Sequence, residues 1–202
     1  MIDNAIISVF DKDNLGYLVK NLKELNSDIR IISSGGTAEK IKELGFDVEE
    51  VSDYTGFPEA PGGLVKTLHP KVHGGILLDP ERETEEDYME ENDVLGINLV
   101  VVNLYPFEGT LESGKPEEEI VENIDIGGPT LIRSAAKGAL RHGNVVPIVQ
   151  PQDYGRLIQR LKEKNGDLND EFVMELVEKA FSHTKTYDKK INNWTEDLIE
   201  ES

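Results

Sequence analysis

Short apolar runs alternate along the chain with longer stretches in which apolar residues return every three or four positions. Residues 5–10, 29–33, 48–51, 99–104 and 145–149 read as strands, because unbroken runs rich in Val and Ile suit the doubly covered strands of a parallel sheet. Residues 15–25, 38–44, 154–164 and 171–186 carry the spacing of amphipathic helices. One more helix is expected after Gly127-Gly128, with Arg133 and Lys137 four apart on a shared face. Strands alternating with helices predict an α/β fold of three layers, a mainly parallel sheet with helices on both faces. The expected organisation is one domain, with a core over about residues 1–150 and a C-terminal helical extension over about 151–202.

Charge narrows the partners. A formal net charge of -19 on 202 residues repels phosphate backbones over most of the surface, which argues against nucleic-acid binding. An anionic substrate then needs a local site that outweighs the global field. The eight acidic residues between Glu81 and Asp93, Glu117-Glu118-Glu119 and the Glu200-Glu201 tail read as solvated helix faces. With no cysteine, disulfides, thiolate metal sites and cysteine nucleophiles are excluded. No apolar stretch is long enough to span a bilayer, and Met1 leads into Ile2-Asp3-Asn4 without the cationic start of a signal peptide, so cytoplasmic residence is expected.

Three loops follow expected strands and carry the candidate chemistry, since open parallel sheets bind ligands at the carboxyl ends of their strands. Ser34-Gly35-Gly36-Thr37 opens a helix and suits a phosphate cradle, although a plain turn capped by Thr37 has the same composition. The loop from Gly56 to Pro70 concentrates Gly and Pro around Lys66 and Thr67. In it His69 and His73 are four apart, but Pro70 argues against a shared helix face, and packing or hydrogen bonding is the expected task of both. The third region joins Asn103-Leu104-Tyr105-Pro106-Phe107 to Asp125-Ile126-Gly127-Gly128, where Asp125 alone would pass for a helix cap and Lys137 for a surface cation.

Taken together, Ser34-Gly35-Gly36-Thr37, Gly62-Gly63, Val65-Lys66-Thr67-Leu68-His69-Pro70, Asn103-Leu104-Tyr105-Pro106-Phe107, Asp125-Ile126-Gly127-Gly128 and Lys137 resemble the cyclohydrolase half of the bifunctional purine biosynthesis proteins. The resemblance runs from Ser8 to the segments Ala180-Phe181-Ser182-His183-Thr184 and Tyr187-Asp188. It implies a methylglyoxal-synthase-like fold and the closure of 5-formamidoimidazole-4-carboxamide ribotide to inosine monophosphate and water, with no metal or organic cofactor. It further implies a homodimer and, in the family, a formyltransferase domain that normally follows. The chain is then either a separate cyclohydrolase or a part cut from a longer protein, and its acidic tail favours the former, with the formylated substrate supplied by another enzyme. Carried over by residue, Lys66, Tyr105, Asp125 and Lys137 are the catalytic group, with Lys137 the proton donor or acceptor and its pKa expected to be lowered beside Arg133. Lys12, Ser34, Gly35, Gly36, Thr37, Val65, Thr67, Asn103, Ile126 and Gly127 would bind the nucleotide.

Two positions depart from the family pattern. Leu64 stands where an Arg is usual and Phe10 where a Ser is usual, each removing a polar group; Lys71 or Arg133 is the candidate to replace the lost cation. A lost charge-assisted hydrogen bond weakens binding by roughly 1.5 to 3 kcal/mol. Methylglyoxal synthase, acting on a triose phosphate, is the nearest rival enzyme, and a non-catalytic nucleotide sensor like the regulatory domain of carbamoyl phosphate synthetase is the rival of another class.

Overall fold

The computed structural model describes residues 2–63, 65–112, 114–163, 168 and 170–200. Five strands, β1 (Asn4–Val9), β2 (Arg30–Ser33), β3 (Glu49–Glu50), β4 (Leu99–Asn103) and β5 (Val146–Ile148), form one sheet in the order β3-β2-β1-β4-β5. Every pairing is parallel, with Ile6 of β1 level with Ile32 on one side and Val100 on the other. Between the strands run α1 (Leu15–Leu25), α2 (Gly35–Glu43), α3 (Val51–Thr55), α4 (Pro70–Leu77), α5 (Glu83–Glu91), α6 (Phe107–Glu112), α7 (Glu117–Glu122) and α8 (Gly127–His142). The chain closes with α9 (Tyr154–Glu163) and α10 (Asp170–Glu200).

Strand alternation divides the core in two. Ile6, Ile32, Val100 and Val102 pack against Val72 and Ile76 of α4, Leu131 and Ala135 of α8 and Val177 of α10. Ala5, Ile7, Ile31, Leu99 and Val101 face Leu18 of α1, Ile41 of α2 and Leu157 of α9. Both faces of the sheet are therefore apolar and covered, which is why its strands read as continuous hydrophobic runs. None of the helices among the described residues is long and apolar enough to cross a membrane.

Three elements differ from expectation. Of residues 48–51 only Glu49 and Glu50 pair as a strand, because β3 is the outer strand and Val51 turns its side chain into the core at the start of α3. The last helix runs to Glu200 instead of ending at Thr186: Tyr187, Ile191 and Trp194 continue the apolar stripe and pack on the core. Pro70 begins a helix, since proline's fixed φ and missing N–H suit the first helical position.

The order of the strands decides where a ligand goes. From β1 the chain winds outward through β2 and β3, and then returns to the other side of β1 with β4 and β5. The connections after β1 and β4 consequently diverge, leaving a crevice at the carboxyl ends of these neighbours, the topological switch point of such sheets.

Candidate active site

A cavity of about 320 Å³ occupies that crevice, lined among others by Ser8, Phe10, Ser34, Gly63, Lys66, Thr67, Asn103, Tyr105, Asn123, Asp125, Ile126, Gly127 and Gly128. Eight of the residues expected from sequence are in that lining: Ser34, Lys66, Thr67, Asn103, Tyr105, Asp125, Ile126 and Gly127.

The cavity floor is clamped from two sides. The Thr37 hydroxyl donates to the Val9 carbonyl at 2.9 Å and accepts the Val9 amide at 3.1 Å. Asn103 treats Asp11 the same way, with Oδ1 accepting its amide at 2.8 Å and Nδ2 donating to its carbonyl at 2.9 Å. Both side chains, expected to touch substrate, thus spend their hydrogen bonds on holding the end of β1. Between the clamps Phe10 stands in the cavity, its ring edge-on to Tyr105 with centroids 4.3 Å apart.

On one side lies the N-terminus of α2. Ser34 occupies the cap position without a side-chain cap hydrogen bond, and the first turn carries no acidic residue, so its amides and dipole present positive potential. Lys66 reaches over this turn. Both Gly35 and Gly63 have positive φ, 52° and 72°, which favours glycine, and a Cβ on either would displace the end of the Lys66 side chain from this position. Lys66 Nζ also lies 3.7 Å from the Glu59 carboxylate.

On the other side is the start of α8. Asp125 Oδ1 accepts the Gly128 amide at 2.8 Å, and the Gly127 amide also donates to this carboxylate. Burial pushes the Asp125 pKa up, and these two amides only partly offset it. Among the described residues Asp125 has no cation within ion-pair distance. A carboxylate held by dipoles in a cleft is poised to accept a proton. The Gly127 and Gly128 amides are thereby directed at Asp125 and not into the cavity.

Other expected residues fall outside the lining. Lys12 is exposed and donates to the Phe10 carbonyl at 3.3 Å; Val65 is exposed; Gly36 has open space around it. Lys137 lies farthest from where it was expected. It is exposed on α8 and lies about 15 Å along the helix axis from Gly127, at 1.5 Å per residue. The apolar positions Leu131, Ala135, Ala136 and Ala139 face the core, which turns Arg133 and Lys137 outward. Neither candidate for replacing the missing cation reaches the cavity: Lys71 sits over the Tyr54 ring, 6.0 Å from its centroid, and Arg133 lines a groove beside α10. Leu64 lies outside the described residues.

The two histidines have structural work. His69 caps α4, its Nδ1 accepting the Lys71 amide at 3.1 Å, while His73 Nδ1 is 2.8 Å from Ser134 Oγ and burial lowers its pKa. Among the described residues no group of three His, Asp or Glu is placed to hold a metal ion. Sequence reasoning passed over Ser8 and Asn123, which line the cavity, and passed over Tyr187, whose hydroxyl accepts the Asp125 amide at 2.7 Å from α10.

The fold and its crevice have counterparts. The MGS-like domain family matches residues 14–130, more than half of the chain, and the chain belongs to it. Within that class its remainder follows the AICARFT/IMPCHase bienzyme, which matches residues 135–202, and the chain corresponds to the IMPCHase portion of that bienzyme. Bifunctional purine biosynthesis protein PurH of Persephonella marina is 49% identical over 94% of this chain and 36% of its own length. PurH of Aquifex aeolicus is 49% identical over 93% of this chain and 36% of its own, and that of Natranaerobius thermophilus 46% identical over 98% and 37%. The chain thus spans little more than a third of these relatives. The crystal structure of ForH superposes with a TM-score of 0.79 at 32% identity, covering 95% of this chain and 98% of that one.

Proposed function

We propose that the chain catalyses the cyclohydrolase reaction, in which the carboxamide nitrogen of 5-formamidoimidazole-4-carboxamide ribotide attacks the formyl carbon and water leaves to give inosine monophosphate. The observation that carries this reading is the meeting of Lys66, Tyr105 and Asp125 around one cavity beside the helix N-terminus of Ser34-Gly35-Gly36-Thr37. The ribotide is anionic at one end and reacts at the other. The α2 N-terminus suits its phosphate despite the net charge of -19, because backbone dipoles act locally.

An amide is a poor nucleophile, and ring closure needs its proton removed as the new C–N bond forms. Asp125, with its pKa raised, takes that proton. The formyl oxygen, whose developing charge Lys66 and the Tyr105 hydroxyl stabilise, takes up one proton to become the adduct's hydroxyl. It departs with a second proton as water while the formamido nitrogen gives up its N–H proton and the ring C=N double bond forms, so the two protons lost by nitrogen equal the two gained by oxygen. None of these steps uses a metal or organic cofactor.

Lys137 stands apart from this set. From the outer face of α8 it serves proton transfer only if a second copy of the chain presents it, which fits the homodimer included in this proposal. The remaining assignments are a core over about residues 1–150 with a helical extension over 151–202, a cytoplasmic location, and no nucleic-acid or membrane partner.

The test is ultraviolet-monitored conversion of the formylated ribotide, with the wild type beside Lys66→Ala and Lys137→Ala. Turnover lost in Lys66→Ala with folding intact supports the reading. A wild type that binds inosine monophosphate without turning over the ribotide replaces it with the nucleotide sensor, and methylglyoxal release from dihydroxyacetone phosphate replaces it with the synthase.

A further inference from the structure

The loops that carry Tyr105 and Asp125 come from different parts of the chain, yet both rest on one helix. Tyr187 of α10 is 6% exposed and accepts the Asp125 amide through its hydroxyl at 2.7 Å. Its ring packs edge-on against Phe107, centroids 6.3 Å apart, two residues beyond Tyr105. Phe107 is 1% exposed and also meets Trp194 of α10, centroids 5.7 Å apart. One residue therefore meets both loops, by a polar contact to one and an apolar contact to the other.

The chemistry of the contact makes it more than packing. Asp125 lies just before α8, where its carboxylate accepts the amides of Gly127 and Gly128. That arrangement needs the Asp125 backbone to stay in place, and the anchor of its own N–H is the Tyr187 oxygen. A phenylalanine at 187 keeps the ring on Phe107 and leaves a half-buried N–H without its acceptor, a loss that a backbone avoids by moving. The carboxylate then loses the amides that favour its ionised form.

We infer that Tyr187 is a positioning residue, the point through which the C-terminal helix sets the Asp125 carboxylate against Tyr105. The inference rests on the cyclohydrolase reading for its kinetic consequence, but the anchor itself is read without substrate. In Tyr187→Phe, kcat for ring closure falls about tenfold while KM stays within about twofold, because misplacing a proton acceptor costs the chemical step more than binding. The acid limb of the rate profile moves to higher pH. Amide hydrogen exchange at Asp125, measured in the free protein, accelerates about tenfold, with exchange in β1 and β4 unchanged.

Unchanged exchange at Asp125 in the folded variant overturns the inference whatever the turnover, and so does a variant with wild-type kcat and an unmoved acid limb. A wild type that never closes the ring, with exchange at Asp125 still accelerated in the variant, defeats the cyclohydrolase reading and leaves the anchor standing.

Discussion

Two aspartates are drawn out of water in this molecule, and they are treated in opposite ways. Asp153, 3% exposed, receives the Lys179 ammonium at 2.6 Å with the Arg156 guanidinium at 3.9 Å behind it. Asp125 receives two glycine amides and no cation among the described residues, and its pKa rises. A carboxylate that only joins two helices is neutralised by charge; one left to dipoles costs stability and keeps its capacity to take a proton. The difference supports the proposed role of Asp125 and assigns none to Asp153.

The largest effect should come from erasing that capacity. Asp125→Asn keeps an acceptor for the glycine amides but cannot take a proton, and turnover of the formylated ribotide is expected to fall by about a thousandfold. The same variant should be more stable at neutral pH, by about 0.5–1 kcal/mol. Because folding raises the Asp125 pKa, the penalty is absent below the unfolded aspartate value, grows as pH rises toward the folded pKa, and is complete above it. Thermal melts of the two proteins should therefore converge toward pH 3 and separate by pH 7. A less stable Asp125→Asn at neutral pH would erase the contrast with Asp153.

Second in size is the opposite experiment. Lys179→Met leaves Asp153 buried beside a guanidinium too distant for a hydrogen bond, at a cost of about 2 kcal/mol, or roughly 4–8 °C in Tm for a domain of this size. Ring closure well below the melting temperature should be unaffected, because the pair lies outside the cavity lining.

What could be read from the sequence follows the same division between local and distant causes. Strands β1 and β4 were legible because burial on both faces writes an unbroken apolar run. Lys66, Tyr105 and Asp125 were named as a catalytic group only through the family resemblance, and they line one cavity because each sits in a loop just beyond a strand or before a helix. The end of α10 was not, since Tyr187 and Trp194 are held by Phe107, far away in the chain. The Asp125–Tyr187 contact spans 62 residues and leaves no local pattern. Lys137 shows where local pattern stops: its shared face with Arg133 was visible, and the apolar stripe of Leu131, Ala135, Ala136 and Ala139 turns that face to solvent, but what meets it there is not written in the pattern.

The smallest effect sharpens the comparison from the surface. Glu85 is bound by Arg141 through both carboxylate oxygens, at 2.7 and 2.5 Å, and accepts the Asp79 amide at 2.9 Å. The Arg141 hydrogen bonds, more than any other influence, hold its pKa at about 2. Its sign is opposite to that of Asp125: the stabilisation is present above the unfolded glutamate value, about 4.3, and is lost as pH falls from there toward about 2. Water and salt screen a pair in this position, so Glu85→Gln should lower Tm only slightly at pH 7, less in high salt, and not at all near pH 2. Melts from neutral pH down to about pH 2 would then show two carboxylates acting in opposite directions, Asp125 gaining stability on protonation above the unfolded aspartate value and Glu85 losing it below the unfolded glutamate value; a loss of stability at both would mean that charge partners, and not burial, govern Asp125 as well.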